Sequence, residues 1–274
     1  MKLDSSLKKL QNSQLLILKE IKRICEKENI EYSLAGGTLL GAYRHGGFIP
    51  WDDDIDIYMT IDNFTRFEKI ANKELKSNFF YQTPNTDLEC KSFQCGRVRL
   101  EGTYFESNSL PNNWKHNGVF VDILPLIKVS ESKIAQKIFF YKFNVIVRIV
   151  WLKNNYKPNP KNIFFKLIMK LSYLITFFIP SSIFEKFLST YHLKYKKLST
   201  YKYIDLLASN FDSSLIDSDI PEEYTFHKFE DDEYSVFKKS EQLLSSQYGN
   251  WRELPPVEER KPHHILNIDF NQKF

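Results

Sequence analysis

The sequence predicts an α+β fold, α/β-like in its first half, carrying a helical, lysine-rich insertion. Three observations predict it. Short alternating strands interleave with helical stretches up to residue 124. Among them sits a dense glycine and aspartate segment, Leu34 to Met59, LAGGTLLGAYRHGGFIPWDDDIDIYM. After Pro125 the texture changes to long lysine-rich stretches broken at Pro158, Pro160 and Pro180. Three divisions follow: a catalytic core over 1–128, a basic helical region over 129–210, and an acidic linker, last helix and tail over 211–274. At 274 residues with 42% hydrophobic content the chain is soluble-globular in type. A chain of about 300 residues buries roughly 75% of its unfolded surface, so no covalent staple is needed.

Each element has a local cause. Ser5 or Ser6 caps a first helix whose Leu7, Leu10, Gln14, Ile17, Leu18, Ile21 and Cys25 recur at helical spacing, and Asn29 closes it. Tyr32 to Ala35 reads as a short strand entering the Gly36-Gly37 turn. Thr38 to Arg44 begins a helix whose N-terminal amides face that turn. Gly46-Gly47 and Pro50 break the chain before a strand over Asp54–Met59, and Ile61 to Leu75 is helical. Gly96 to Tyr104 alternates Val98 and Leu100 against Arg97, Arg99 and Glu101. Gly118 to Leu124 sets Val119, Val121 and Ile123 opposite Asp122. Ile163–Ile179 is apolar, but Lys166 and Lys170 interrupt it, so it is too short and charged to span a membrane. A last helix is expected over about Glu233 to Gln247, ended by Tyr248-Gly249.

Charge and cysteines narrow the function. Three cysteines, Cys25, Cys90 and Cys95, contain no CxxC pair, so reduced thiols are expected rather than a disulfide framework or zinc knuckle. The opening MKLDSSLKKLQNSQ has no apolar signal core, and a cytoplasmic location is expected. Net charge is +4, yet 133–202 holds fourteen Lys/Arg against Glu185 alone, a local +13. That asymmetry points to a polyanionic partner, with peripheral contact to an anionic membrane as one reading and a solvated lysine face as the other.

The chemistry centres on aspartates. Asp54 and Asp56 flank Ile55, so a strand projects both carboxylates from one face. Paired, half-buried carboxylates need a neutralising cation, and hard divalent ions couple carboxylates to substrate phosphates. Asp122 offers a third carboxylate from a later strand; Asp52 reads as a supporting group and Asp53 as exposed. Gly36, Gly37 and Thr38 suit phosphate binding through backbone amides and a hydroxyl. Neither GxxxxGK[ST] nor GxGxxG occurs, which removes P-loop and Rossmann readings. Arg44, His45, Arg97 and Arg99 are cations placed beside these strands, fit either for phosphate or for an ordinary charged surface. Arg260, His263 and His264 in the tail are placed to close over the site.

The segment AGGTLLGAYRHGGFIPWDDDIDIYM resembles the signature of the LicD family of phosphotransferases, which includes the LicD-like domains of fukutin and fukutin-related protein. RVRLEGTYFE (97–106), GVFVDILPL (118–126) and YGNWRELPPVEERKPHHI (248–265) agree with it, while about 130 to 230 carries little that matches. The resemblance implies a nucleotidyltransferase-type mixed sheet with flanking helices. It implies transfer of a phospho-alcohol from a CDP-alcohol donor to a sugar hydroxyl of a lipid-linked or cell-surface glycan (teichoic acid, capsule or lipopolysaccharide), releasing CMP. Bacterial members typically move phosphocholine and animal members ribitol phosphate. Asp54, Asp56 and Asp122 would then hold Mg²⁺, with Mn²⁺ as the alternative ion, and Gly37 and Thr38 would touch donor phosphate. Asp52 and Asp122 are both candidates for the base. Rival readings are transfer of the nucleotide itself to a small molecule and a non-catalytic glycan- or lipid-binding protein. A nucleic-acid partner is not expected, because no recognisable motif accompanies the basic stretch.

Overall fold

The computed structural model describes residues 2–90, 95–107, 115–153, 167, 170–171, 174–190, 198, 200–208, 210–262 and 265–270. Its centre is a mixed sheet whose strands alternate as the sequence does. β1 (Ser33–Leu34) runs antiparallel to β2 (Asp56–Thr60), which is parallel to β6 (Phe120–Val129). β6 is antiparallel to β4 (Gly96–Leu100), and β4 to β3 (Phe79–Gln82). The last four residues of β6 pair with β7 (Lys202–Asp205), and β7 pairs with β8 (Leu215–Ile216). The sheet therefore takes in strands on both sides of the divisions expected at 128 and 210.

β6 passes through Pro125, a residue that cannot donate to a ladder. The Asp122 amide donates to the Ile55 carbonyl on the β2 side, so by alternation the nitrogen of Pro125 points to the other side. There the pairing with β4 ends at Ile123 and that with β7 begins at Leu126, so the missing donor falls where partners change.

Ile57, Met59, Val98, Val121 and Ile123 are fully buried on one face of the sheet. Helices α1 (Lys2–Glu28) and α3 (Ile61–Glu74) pack there. α1 ends at Asn29, whose positive φ of 51 closes it as expected. α2 (Gly36–His45) follows β1 directly. The opposite face carries Asp56, Tyr58, Asp122 and Leu124 and is left for the site. A second apolar cluster joins α4 (Lys133–Lys153) and α5 (Ser181–Thr190) to Ile127, Val129 and Ile204 of the sheet. β5 (Tyr104–Ser107) pairs with β11 (Ile265–Asp269), bringing the C-terminal segment back beside the core.

The helix expected over Glu233 to Gln247 is two elements. β9 (Tyr224–Phe229) and β10 (Asp232–Phe237) form a hairpin, and α6 (Ser240–Tyr248) follows. The turn through Glu230, at φ 56, and the alternation of buried Tyr234 and Val236 outweigh the helical reading. The Gly96–Tyr104 strand is likewise β4 and β5, parted at Gly102. Of Ile163–Ile179, residues 163–166, 168–169 and 172–173 lie outside the described residues. Among the described residues no helix is long and apolar enough to cross a membrane.

Candidate active site

The register of three neighbouring strands builds the site. Asp56 on β2 sits beside Asp122 on β6, and Asp122 sits opposite Arg97 on β4, so the three side chains form one row across the sheet. Arg97 donates to both Asp122 oxygens, from Nε and Nη2, at 2.6 Å each, and its guanidinium stacks 3.6 Å from the Phe120 ring centroid. Burial opposes the charge on Arg97, but Asp122 holds its pKa above the ordinary value.

The loop before β2 is fixed from behind. Buried Gln11 and Gln14, on one face of α1, donate their Nε2 amides to the carbonyls of Asp52 (3.0 Å) and Asp53 (2.9 Å). The Asp56 amide donates to Thr38 Oγ1 at 3.0 Å, tying β2 to the first turn of α2. Gly36, at φ +50, and Gly37 open that helix against the carboxylates. A Cβ on Gly37 would lie 2.9 Å from Asp52 Oδ2, so any side chain here would push that carboxylate from its place. The carboxylate oxygens of Asp52, Asp53 and Asp54 come within 4.8 Å of one another.

These groups open on a cavity of about 1250 Å³. Asp52, Asp54, Asp56, Asp122, Asp205, Glu253, Glu258 and Glu259 line it, and among the described lining residues only Arg44 and Lys261 are basic. Concentrated negative charge out of water has the expected electrostatic effect. Burial, then Asp54 and Asp53, push the Asp52 carboxyl up to about 8. Burial and the neighbouring Asp54 and Asp122 hold Asp56 well above the carboxylate range, and burial raises Asp205. Carboxylate oxygens gathered on one cavity, with Asp52, Asp56 and Asp205 disfavoured in their charged forms, fit a hard divalent cation.

Not every residue singled out in the sequence reaches the cavity. Gly36, Gly37, Arg44, Asp52, Asp54, Asp56 and Asp122 line it. Thr38 does not; its hydroxyl accepts the Asp56 amide. Arg97 stands behind Asp122, and Arg99 is buried, donating to Gln82 Oε1 and the Gly118 carbonyl at 2.6 Å each, so neither arginine is on the wall. His45 packs edge-on to Trp51, its pKa lowered by burial and by Arg44. Arg260 donates from Nε to the Pro255 carbonyl and lies 5.8 Å from the Trp51 ring; its neighbours Glu259 and Lys261 take the lining positions. Asp53, expected exposed, is buried. His263 and His264 lie outside the described residues. Arg44 donates from Nη1 to the carbonyls of Trp251 (3.1 Å) and Glu253 (3.0 Å), which fastens the tail over the cavity.

Several lining groups were not singled out from the sequence, Asp205 and Tyr248 among them. Asp205 ends β7, where its Oδ2 accepts from Tyr58 Oη (3.0 Å) and its Oδ1 from the Leu207 amide (2.9 Å). The one signal was an acid closing the apolar alternation YIDL after a long basic stretch. Tyr248 is held largely protonated by burial and by Asp52 and Asp56, and its signal was the YGNW segment.

Residues 29–166 match the profile described as LicD/FKTN/FKRP, nucleotidyltransferase domain. The chain is also 32% identical over 263 residues to the lipopolysaccharide cholinephosphotransferase LicD of Haemophilus influenzae, covering 92% of this chain and 93% of that protein. The chain belongs to the LicD family. Similarity extends to the ribitol 5-phosphate transferase FKRP of mouse, 39% identical over 102 residues, which is 37% of this chain and 18% of that protein. The human FKRP is 39% identical over 54 residues, 20% of this chain and 11% of that protein. In this LicD-family chain the matched span contains the glycine turn, Asp52, Asp54, Asp56 and Asp122. Asp205, Tyr248 and the tail lie beyond it, so the cavity is completed from outside the profile.

Proposed function

We propose that this chain is a Mg²⁺-dependent phosphotransferase that moves a phospho-alcohol from a CDP-alcohol to a sugar hydroxyl of a surface glycan, releasing CMP. Phosphocholine leads as the group moved, with ribitol or glycerol phosphate next, and the acceptor is a teichoic acid, capsule or lipopolysaccharide. The observation that carries the reading is the acidic cavity: eight carboxyl side chains against two basic ones suit a diphosphate only when divalent cations accompany it. Membership of the LicD family and the names of its relatives support the same class of reaction.

Asp54 and Asp56, with Asp122 beside them, would hold Mg²⁺, which when bound supplies neutralisation of the donor pyrophosphate. The glycine turn at the start of α2 binds phosphate through backbone amides. The acceptor oxygen forms its bond to the distal phosphorus as the bridging P–O bond breaks and CMP departs with that electron pair. The hydroxyl proton goes to a carboxylate. We assign the base to Asp52, whose carboxyl lies against Gly37 and is pushed up to about 8 by burial and Asp54.

The test is CMP release from separate CDP-choline, CDP-ribitol and CDP-glycerol with Mg²⁺ and a crude membrane glycan. Release from one donor, abolished in Asp54→Ala, is expected. Nucleotide retained on a product would instead establish nucleotidyl transfer.

A further inference from the structure

α4 carries two apolar faces. Phe139, Phe140, Phe143, Val147 and Val150 are buried in the second core cluster, while Ile134 (74% exposed), Ile138 (62%), Tyr141 (57%) and Val145 look outward. At about 100° per residue the four outward residues fall within about 60° of one another, opposite the buried five. Lys133 and Lys137 border this stripe on one side and Lys142 on the other. Further exposed apolar residues lie just beyond the helix end. Lys153 donates to the carbonyls of Phe177 (3.3 Å) and Ile179 (2.8 Å), holding a turn on which Phe178 is 90% exposed. Exposed Leu174 and Ile175 precede that turn, and Ile183 on α5, packed against α4, follows it.

We propose that this surface docks on an anionic lipid bilayer, its apolar stripe entering the headgroup boundary and its lysines meeting lipid phosphates. An apolar stripe bordered by lysines is the arrangement an interfacial helix requires, since the aliphatic lysine stems reach outward from beside it. Lys133, Lys137 and Lys142 beside the stripe are exposed and complement a polyanionic surface. The same charge opposes pairing with a second copy, where a two-fold axis would bring like charges together.

The surface also borders the cavity. Tyr141 stacks on Phe211 with centroids 6.5 Å apart, and the Lys137 ammonium lies 5.6 Å from the same ring. Phe211 sits between Asn210 and Ser213, which line the cavity together with Leu207 and Ala208. A bilayer on α4 therefore meets the protein beside the site's wall, where an acceptor carried on lipid would be presented. That last step rests on the proposed reaction; the docking itself does not.

The experiment is flotation of the full chain with phosphatidylcholine vesicles containing about 30% phosphatidylglycerol at about 100 mM salt. The chain floats. Binding falls at least about tenfold in the double variant Ile138→Asp/Phe178→Asp, and about fivefold for each of Lys133→Gln, Lys137→Gln and Lys142→Gln. Circular dichroism and Tm stay unchanged in the double variant, because both side chains are exposed. Absence of flotation at low salt overturns the proposal, as does flotation that the double variant leaves intact. A dimer in sedimentation that the double variant dissociates also overturns it, assigning the stripe to a second copy. Flotation without CMP release from any donor would sustain the docking and sink the proposed reaction.

Discussion

Removing Arg97 should unfold the site from beneath without touching the cavity wall. The residue is 4% exposed, its two hydrogen bonds to Asp122 are each 2.6 Å, and Asp122 already neighbours Asp56 in the sheet. Arg97→Met keeps the stem against Phe120 but leaves Asp122 without its counter-charge. Breaking a buried pair from one side costs about 3–5 kcal/mol, because the remaining charge stays desolvated. Against a total stability of about 5–15 kcal/mol that is a large fraction. Asp122→Asn alone leaves the guanidinium buried and should also destabilise strongly. The double variant Arg97→Met/Asp122→Asn removes both charges, and its loss should fall short of the sum of the singles by about 2 kcal/mol or more. Urea unfolding of the metal-free protein, followed by circular dichroism, measures all three. A single-variant loss below about 1 kcal/mol, or strict additivity, would refute the view that this ion pair fixes the third carboxylate.

Stability should also follow pH in a stated direction. The folded Asp52 carboxyl, raised to about 8 from an ordinary 3.8, binds a proton that the unfolded chain releases. Stability of the metal-free protein therefore falls as pH rises between those values, by up to about 1.4 kcal/mol per unit for the group. Asp52→Asn should flatten the slope, and Mg²⁺ should raise Tm more at the alkaline end; a wild-type profile no steeper than the variant's would contradict this. Gly37→Ala brings a methyl to 2.9 Å from Asp52 Oδ2 and so displaces that carboxylate. The fold should remain by circular dichroism while turnover drops at least about tenfold through lost positioning, and unaltered turnover would remove Asp52 from the proposed mechanism.

How much of this was legible in the sequence depends on the range of the interactions. The glycine turn, the strand bearing Asp56, and the helix ended at Asn29 follow from neighbours a few residues apart, and their expected places match the structure within a few residues. The row Asp56, Asp122, Arg97 depends on register between strands far apart in sequence, so alternation placed Arg97 on a strand face but could not show that its partner is Asp122 rather than a ligand. For the same reason Arg99 read as either a phosphate-binding or a surface cation, while the fold buries it against Gln82. The Asp232–Phe237 strand was lost because a two-residue turn at Glu230 and Asp231, rich in charge, looks like a helix start. Asp205 was hidden by composition: one acid after a long basic stretch gives no local reason to look for the cavity there.

The most direct test of the central claim follows the donor's two halves separately. A CDP-alcohol carrying one radiolabel in the cytosine and another on the distal phosphate is turned over by the purified chain with Mg²⁺ and membrane glycan. The account predicts that the phosphate label moves to the glycan while the cytosine label is released as CMP, and that Asp54→Ala stops both. Cytosine label travelling with the product would contradict it.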